Sequence, residues 1–409
     1  MASATMDHMI SLIVFIAAIL IFIGLFSQPI QTAIVYESHR ALSTKTSDLL
    51  DTILLNPGIP ANWGQSNCTA QGFGLQDPEF TQYQLSPFSL MRLGSSTGNM
   101  VEYDKTSPSI YYNNASLGFG ASLLTPNAQA LNYSASLALL GINNTYGFQL
   151  TLTPDITVSI TENHGSSPLD LSISATGTGF PFAGASINYC LILVTLPQTD
   201  AEYPSYTIQN GVVTTDQQGI ANVTFPSVTD PVYAFIAYAH LDGVVGVGYF
   251  THGSATDQYV VPIVQDMASQ EVTLAHNYDL NNSGLAGFSL KYNATFVIST
   301  EDYTLSELSL GSPSSQGIVT SGVGNPSPII PLPACTTGIL IVTYQQEGST
   351  QGGVVMMPWG VSSLAFPVTF GGNPQGQDWV ATDIRQVTIG GIAYQAKLAL
   401  WNQGVQVTG

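Results

Sequence analysis

Charge, and positive charge above all, is what this sequence has least of. Charged residues make up 8% of the 409 residues, and 7 Lys and Arg stand against 26 Asp and Glu, which gives a formal net charge of −19. Nucleic-acid binding requires a basic surface that displaces counterions from the phosphates. The shortage of Lys and Arg therefore excludes nucleic acid from the expected partners.

Paired cysteines are also lacking. The chain has 3 cysteines, Cys68, Cys190 and Cys335, and no Cys-x-x-Cys motif. An odd number leaves at least one thiol unpaired, and a thiolate metal site needs closer spacing. A Cys190–Cys335 disulfide between domains is one alternative, and two buried free thiols are the favoured one.

Catalytic signatures are weak throughout the chain. It contains no His-Glu-x-x-His zinc motif, no Walker loop and no Gly-x-Gly-x-x-Gly. His240 and His252 flank an Asp242-Gly243 turn, but a two-residue hairpin pairs His240 with Val245 and His252 with Tyr233. The two imidazoles would not meet, so we predict no catalytic residue, no metal site and no cofactor.

The segment "DLNNSG" is the one candidate for a cation loop. Asp279, Asn281, Ser283 and Gly284 match the opening of a calcium-binding loop. Leu290 occupies the position that should supply a bidentate carboxylate, so a turn between two strands is the favoured interpretation.

What the chain does have is one long hydrophobic run, "MISLIVFIAAILIFIGLF", from Met9 to Phe26. As a helix it would be ~27 Å long, close to the ~30 Å hydrocarbon core of a bilayer. No Lys or Arg precedes it and no Ala-x-Ala site follows it, so a cleaved secretory signal is not expected.

The helical pattern continues past Pro29, the expected kink. Apolar residues recur at three- and four-residue steps, which predicts an amphipathic helix that ends at Asn56-Pro57-Gly58. This stripe consists of Ile30, Ala33, Ile34, Ala41, Leu42, Leu49 and Ile53. Arg40 and Lys45 follow the hydrophobic run, yet long downstream domains are exported largely regardless of such charges. The bulk of the chain is therefore expected outside the membrane.

A hydrophobic helix that continues into an amphipathic one resembles type IV pilins and archaellins. The segments "LLNPGIPANWG", "GFGLQDPEFTQYQLSPFSLMRL" and "LLGINNTYGFQLTLTP" look like those of archaeal pilin-like surface proteins, and the resemblance covers about residues 1–150. It implies a helix that packs on a globular part, and partners that are either the lipid bilayer or neighbouring subunits, contacted through residues 9–54. Prepilins usually carry basic residues before their peptidase site, and neither Lys nor Arg precedes Met9 here. Many also carry an acidic residue near the start of the mature helix, for which Asp7 is the candidate.

From about Gln149 the sequence pattern changes to short runs typical of β-strands, separated by frequent turns, as in β-sandwiches. "GFPFAGASI" and the stretch from Thr215-Asp216 to Gly219 resemble immunoglobulin-like and carboxypeptidase-regulatory-like modules of surface proteins, which implies a spacer or adhesive role. The expected fold is mainly β, with a long N-terminal helix, a small α+β region and two β-sandwiches. The expected domains are 1–55, 56–150, 151–262 and 263–409.

Two local features refine this fold. The segment around Gly390-Gly391 predicts a hairpin that pairs Ile389 with Ile392 and Val387 with Tyr394. "TPNAQALNYSASLALLG" predicts a helix with Pro126 near its start and Gly141 at its end. The tryptophans Trp63, Trp359 and Trp401 are expected in the cores rather than as sugar platforms.

Seven Asn-x-Ser/Thr acceptors follow the hydrophobic run, on the side that export would expose to glycosylation. They are Asn67, Asn114, Asn132, Asn143, Asn222, Asn281 and Asn293.

The sequence thus predicts a membrane-anchored extracellular protein with a structural or adhesive role, either a static anchor or a filament subunit. Other surface proteins or glycans are expected as further partners. The alternative is an exported hydrolase or its accessory domain; turnover abolished by one point substitution would identify it.

Overall fold

The computed structural model describes residues 2–403 with several gaps. The gaps are at 81, 94–99, 104, 106–108, 117–121, 144, 166–167, 178, 199–201, 227, 229–231, 254–257, 281–287, 311–314, 323, 335 and 366. Side chains of 2–7, 28, 113–116, 122–124 and 362 are likewise outside the description. The fold is mainly β with one long N-terminal helix, as the sequence predicts.

The described residues form three α-helices, α1 (Ala2–Leu54), α2 (Pro87–Met91) and α3 (Tyr133–Leu139), and three short 3-10 helices at Trp63–Gln65, Asn277–Asp279 and Val361–Leu364. The first twelve strands are β1 (Gln84–Leu85), β2 (Val101–Tyr103), β3 (Ile110–Ser116), β4 (Ser122–Pro126), β5 (Tyr146–Pro154), β6 (Ile156–Gly165), β7 (Leu169–Gly177), β8 (Phe180–Pro181), β9 (Ser186–Thr195), β10 (Ser205–Thr214), β11 (Ile220–Phe225) and β12 (Val232–Leu241). The remaining strands are β13 (Val244–His252), β14 (Val260–Asp266), β15 (Glu271–His276), β16 (Leu290–Ser299), β17 (Leu305–Leu308), β18 (Gln316–Val319), β19 (Ile329–Pro331), β20 (Gly338–Gln346), β21 (Gly352–Trp359), β22 (Val368–Gly371), β23 (Ala381–Ile389) and β24 (Ile392–Asn402).

A sandwich forms between β6 and β13, where the sequence predicts one. One sheet has the order β10-β9-β12-β13 and the other the order β11-β7-β6, with β8 on the edge of β7. The Asp242-Gly243 turn joins β12 to β13, and both residues have positive φ, as a two-residue hairpin of this kind requires. The predicted register is confirmed, with His240 opposite Val245 and Tyr233 opposite His252.

Strand β12 fixes this sandwich to the rest of the body. Its odd-numbered residues, such as Tyr233 and Phe235, enter the core between the two sheets. Its even-numbered residues, such as Ala234 and Ile236, enter the large core shared by the remaining sheets and the helix. Because successive side chains on a strand point to opposite faces, β12 is buried on both sides. The sandwich is therefore packed into the body and is not a detached spacer.

A second layered region is built from two further sheets. One has the order β17-β16-β20-β21, with β18 also paired to β16, and the other has the order β14-β15-β19. Apolar residues of both contribute to the large core. A small sheet β2-β3-β4 lies beside it, with β4 against β14.

The C-terminal strands correct the expected grouping of 263–409. Residues Ala381–Ile389 and Ile392–Asn402 were expected in the second sandwich, but β24 pairs with β5, which begins within the expected 56–150 region. The sheet has the order β1-β23-β24-β5-β22, and α1 packs against β23 and β24. The local prediction holds, since Ile389 pairs with Ile392 and Val387 with Tyr394. What the local pattern did not contain is the long-range choice of β5 as partner.

The predicted start of the short helix near Pro126 is wrong. Pro126 ends β4 and pairs with Tyr112, and α3 begins after Asn132. The Asn132 Oδ1 atom accepts a hydrogen bond from the Ala135 amide at 2.8 Å, which satisfies a donor that the first turn of a helix leaves free. Gly141 follows the helix with φ of 66°, as predicted for its end.

Arg92 is a basic residue inside the core. Its guanidinium donates to the carbonyls of Trp63, Ser66, Cys68 and Gln129, and it lies over the Trp63 ring at 5.3 Å. Burial lowers its pKa, and Cys68 and Asp266 act in the opposite direction. The side chain therefore serves as the internal hydrogen-bond partner of a loop that has no regular structure of its own.

Candidate functional site

The first helix divides into a packed half and an exposed half. Leu42, Leu49, Leu50, Ile53 and Leu54 are buried against the sheet. Their spacing of three, four and seven residues places them on one side of the helix. Of the predicted apolar stripe, Leu42, Leu49 and Ile53 thus contact the body, whereas Ile30 and Ile34 do not.

A polar cluster holds the packed half in register with β23. Arg385 Nε lies 3.0 Å from Asp51 Oδ1, and Arg385 Nη2 donates to Ser47 Oγ at 2.8 Å. Its Nη1 atom lies 2.8 Å from Asp383 Oδ1, and the Tyr83 hydroxyl donates to Asp51 at 3.1 Å. The hydrogen bond to Asp51 is the main cause that raises the pKa of Arg385. These groups are partly exposed, so they define the position of the helix more than they stabilise it.

A ring stack marks where the helix leaves the body. His39 lies parallel to the Trp379 indole, with ring centroids 3.7 Å apart. Trp379 is otherwise 45% exposed. Toward the N-terminus from His39, every described side chain but that of Ser27 is exposed.

The exposed half carries large apolar side chains along its length, with polar residues among them only at Ser11 and in the segment 27–32. Eight of these apolar residues are between 56% and 68% exposed: Met9, Phe15, Leu20, Phe22, Leu25, Ile30, Ile34 and Tyr36. The helix runs through Pro29 without interruption. Among the described residues, this is one helix long and apolar enough to cross a membrane. Its apolar exposed length from Met9 to Tyr36 is ~42 Å at 1.5 Å per residue.

Two hydroxyl groups on the exposed half are hydrogen-bonded within the helix. The Ser27 hydroxyl donates to the Gly24 carbonyl at 3.1 Å, and the Ser38 hydroxyl donates to the Val35 carbonyl at 2.7 Å. A hydroxyl bonded to its own helix costs less in an apolar environment than an unpaired one. The exposed half is thus chemically suited to burial in lipid or among other helices.

The Asn acceptors differ in accessibility. Asn67, Asn132, Asn143 and Asn222 are exposed. Asn293 is half-buried, and its Nδ2 atom donates to the Pro204 carbonyl at 3.1 Å, so the nitrogen that would carry a sugar is engaged. The side chain of Asn114 and the whole of Asn281 lie outside the described residues.

The two histidines that flank the Asp242-Gly243 turn lie apart, as the register predicts. His252 Nδ1 lies 3.0 Å from Glu162 Oε2 and the ring stacks on Tyr233. His240 Nε2 lies 3.1 Å from Asn188 Oδ1 and its ring stacks on Tyr303. Within the described part of the chain, no group of three or more His, Cys, Asp or Glu could hold a metal ion.

The calcium-loop candidate is only partly described. Asn281, Ser283 and Gly284 lie outside the described residues. The Asp279 carboxylate is buried and faces the Lys105 ammonium at 3.5 Å, and Leu290 is buried in β16. The positive charge of the Lys105 ammonium at that distance would repel a metal cation bound to the Asp279 carboxylate.

The cysteines and tryptophans occupy structural positions. Cys190 is buried and unpaired, and burial raises the pKa of its thiol to about 11, which keeps it protonated. Cys68 is exposed and unpaired, and Cys335 lies outside the described residues. Trp63, Trp359 and Trp401 are buried in the large core or at its margin.

Two clefts meet at the Gly390-Gly391 turn. One, of about 230 Å³, is lined by Tyr238, Tyr303 and Ser363 among others. The other, of about 370 Å³, is lined by Asp77, Glu79, Phe80 and Gln65 among others. Neither contains a described histidine, so neither presents a nucleophile and an imidazole base side by side.

Comparison of the sequence with known protein families finds no matching family. Comparison with curated proteins finds no match either.

Substitutions on the two halves of the helix should have different effects on stability. Replacing buried Leu50 by Ala removes a core side chain and should lower the free energy of unfolding by about 2–5 kcal/mol. Replacing exposed Ile34 by Ala, the matched control, should change it by less than about 0.5 kcal/mol. The measurement is denaturant unfolding of the full chain in detergent, followed by tryptophan fluorescence. Equal effects from the two substitutions would contradict the division of the helix.

Proposed function

We propose that this chain is a membrane-anchored cell-surface protein of archaeal pilin-like type, with a structural and adhesive role. The observation that carries the proposal is the exposed apolar half of α1, which continues directly into a half packed on a β-rich body. A helix that is apolar on all sides requires lipid or other protein around it. The body is thereby attached to the membrane by the same rigid element that forms part of its core.

The body is proposed to face the outside of the cell. Its surface is poor in positive charge, since Arg92, Lys291 and the side chain of Lys105 are buried and Arg385 is paired. The four described acceptors that are exposed provide sites where sugars would add hydration. This surface suits an exported, glycosylated protein better than one kept soluble by charge.

Glycopeptide mass spectrometry of protein from its native host tests this location. Sugars are expected on several of Asn67, Asn132, Asn143 and Asn222, and none on Asn293, because its amide nitrogen is hydrogen-bonded across to Pro204. Asn293 serves as an internal control within one digest. A sample in which all four exposed acceptors are bare, or in which only Asn293 is occupied, would contradict the proposal.

A second candidate, a filament subunit, is favoured by the length of the apolar surface. Exposed apolar side chains continue from Met9 to Tyr36, or ~42 Å, whereas the hydrocarbon core of a bilayer is ~30 Å thick. Ile30, Ile34 and Val35 would lie beyond the lipid in a simple upright anchor. Packing among copies of the same helix would cover them.

The N-terminus of the mature protein distinguishes anchor from filament subunit. Removal of a few residues ahead of Met9, for instance after Ala2 or Ala4, would indicate a prepilin-type peptidase and would support assembly. An intact or merely Met-trimmed N-terminus would support the static anchor. N-terminal peptide mass spectrometry of protein from the native host decides between them.

A further inference from the structure

A buried cluster of three ionisable side chains lies away from the helix, between the small sheet and the second layered region. Lys105 follows β2. His276 ends β15, and Asp279 ends the 3-10 helix that comes directly after it. The Lys105 Nζ atom lies 3.5 Å from Asp279 Oδ2, and the two side chains are only 4% and 3% exposed. A buried pair of opposite charges is costly unless its hydrogen bonds are complete.

The carboxylate of Asp279 is only half satisfied. Its Oδ1 atom accepts a hydrogen bond from the Gly322 amide at 2.8 Å. Its Oδ2 atom is buried and faces Lys105 at 3.5 Å, too far or too poorly aligned for a regular hydrogen bond. The Lys105 ammonium donates at 2.5 Å to the Thr320 carbonyl instead. As an ion pair, the arrangement leaves a buried charged oxygen with one weak contact to a donor, which is costly.

His276 is the third ionisable side chain of this cluster. It is fully buried, and its Nδ1 atom accepts a hydrogen bond from the Tyr278 amide at 3.1 Å. A neutral imidazole whose Nδ1 accepts carries its proton on Nε2. Burial lowers the pKa of His276, and the charges of Asp279 and Lys105 both act on it. The imidazole is therefore neutral and adds no second positive charge to the cluster.

The surroundings favour a neutral product over two charges. Val101, Tyr103, Ile263, Ala275 and Leu280 form an apolar cluster at this position. Burial also lowers the pKa of Lys105, while Asp279 acts in the opposite direction, which increases the share of free amine. Gly322 polarises the Asp279 carbonyl through Oδ1, in the manner of a single oxyanion-hole donor.

We propose that Lys105 and Asp279 condense to an intramolecular amide. The Lys105 ammonium passes one proton to Oδ2 of Asp279, and the resulting amine attacks Cγ, so that an Nζ–Cγ bond forms and the Cγ–Oδ2 bond breaks. Oδ2 leaves as water with that proton and a second proton from Nζ. The sum is an ammonium and a carboxylate converted to an amide and one water. No oxidant, reductant or further reactant is required.

Such a bond would connect distant parts of the chain. It closes a loop of 279 − 105 = 174 residues and joins the segment after the small sheet to the second layered region. Cross-links that close long loops restrict the unfolded chain, so the thermal unfolding temperature should rise when the bond forms. The inference does not depend on the proposed function, although a covalent tie suits a surface protein under mechanical load.

Intact-mass measurement of the full chain in detergent, made in a host that does not glycosylate, tests the bond directly. The protein should be about 18 Da, one water, lighter than its sequence requires. Peptic digestion should yield one branched peptide in which Lys105 is joined to Asp279. An unmodified mass, together with linear peptides that carry Lys105 and Asp279, would overturn the proposal.

Two matched variants separate this bond from other losses of water. Lys105→Arg keeps the positive charge but cannot form the amide, so its mass should equal that of its sequence. Lys397→Arg changes an exposed lysine on β24 and should retain the loss of about 18 Da. A mass loss that persists in Lys105→Arg would assign the lost water elsewhere in the chain and refute the cross-link. The branched peptide of the unsubstituted protein decides the matter even where a variant fails to fold.

Discussion

The rest of the structure depends on one packing contact, that of the second half of α1 on the sheet β1-β23-β24-β5-β22. The helix supplies Leu42, Leu49, Leu50 and Ile53 to the core, and β24 supplies Leu398 and Leu400 after the chain has built every other sheet. Strand β5 lies between β24 and β22 and connects this sheet directly to the sandwich that begins at Ile156. Because α1 continues without a break from its exposed half into its buried half, the exposed half is joined to the body by a helix rather than by a flexible linker.

The few basic residues of the chain have structural roles in this arrangement. The chain has 7 basic residues, and Arg92, Lys105, Lys291 and Arg385 are buried or paired inside the fold. Arg92 supplies hydrogen bonds to a loop, and Arg385 positions the helix. Positive charge is thus used at a few internal positions where a forked or extended donor is needed, and the surface depends on uncharged polar side chains for its hydration.

The sequence predicts local features of this fold well and long-range ones poorly. Two-residue turns fix the register of the residues beside them, so the pairs at Asp242-Gly243 and Gly390-Gly391 could be read directly. The end of α1 near Asn56-Pro57-Gly58 follows from helix-breaking residues in the same way. The pairing of β24 with β5 and the approach of Lys105 to Asp279 join residues far apart in the chain, and no local pattern specifies them.

The candidate site, too, could be predicted from the sequence only where local patterns specify it. The hydrophobic run was evident from its composition, but periodicity alone placed Ile30 and Ile34 on the same stripe as Leu42 and Leu49. Only the fold shows that the sheet ends near His39 and leaves the earlier members of the stripe exposed. Tyr83, Asp51 and Arg385 likewise form one polar cluster from three separate segments, and each is unremarkable in its own sequence context.

The central claim is that one helix combines a membrane-seeking half with a half that belongs to the core of a self-sufficient body. Vesicle flotation of the full chain and of a chain that begins at Ser38, which keeps His39 and all the buried helix residues, tests it most directly. The full chain should float with lipid vesicles, and the shortened chain should stay in the aqueous fraction with its cooperative thermal unfolding retained. A shortened chain that still floats, or that no longer unfolds cooperatively, would contradict the account.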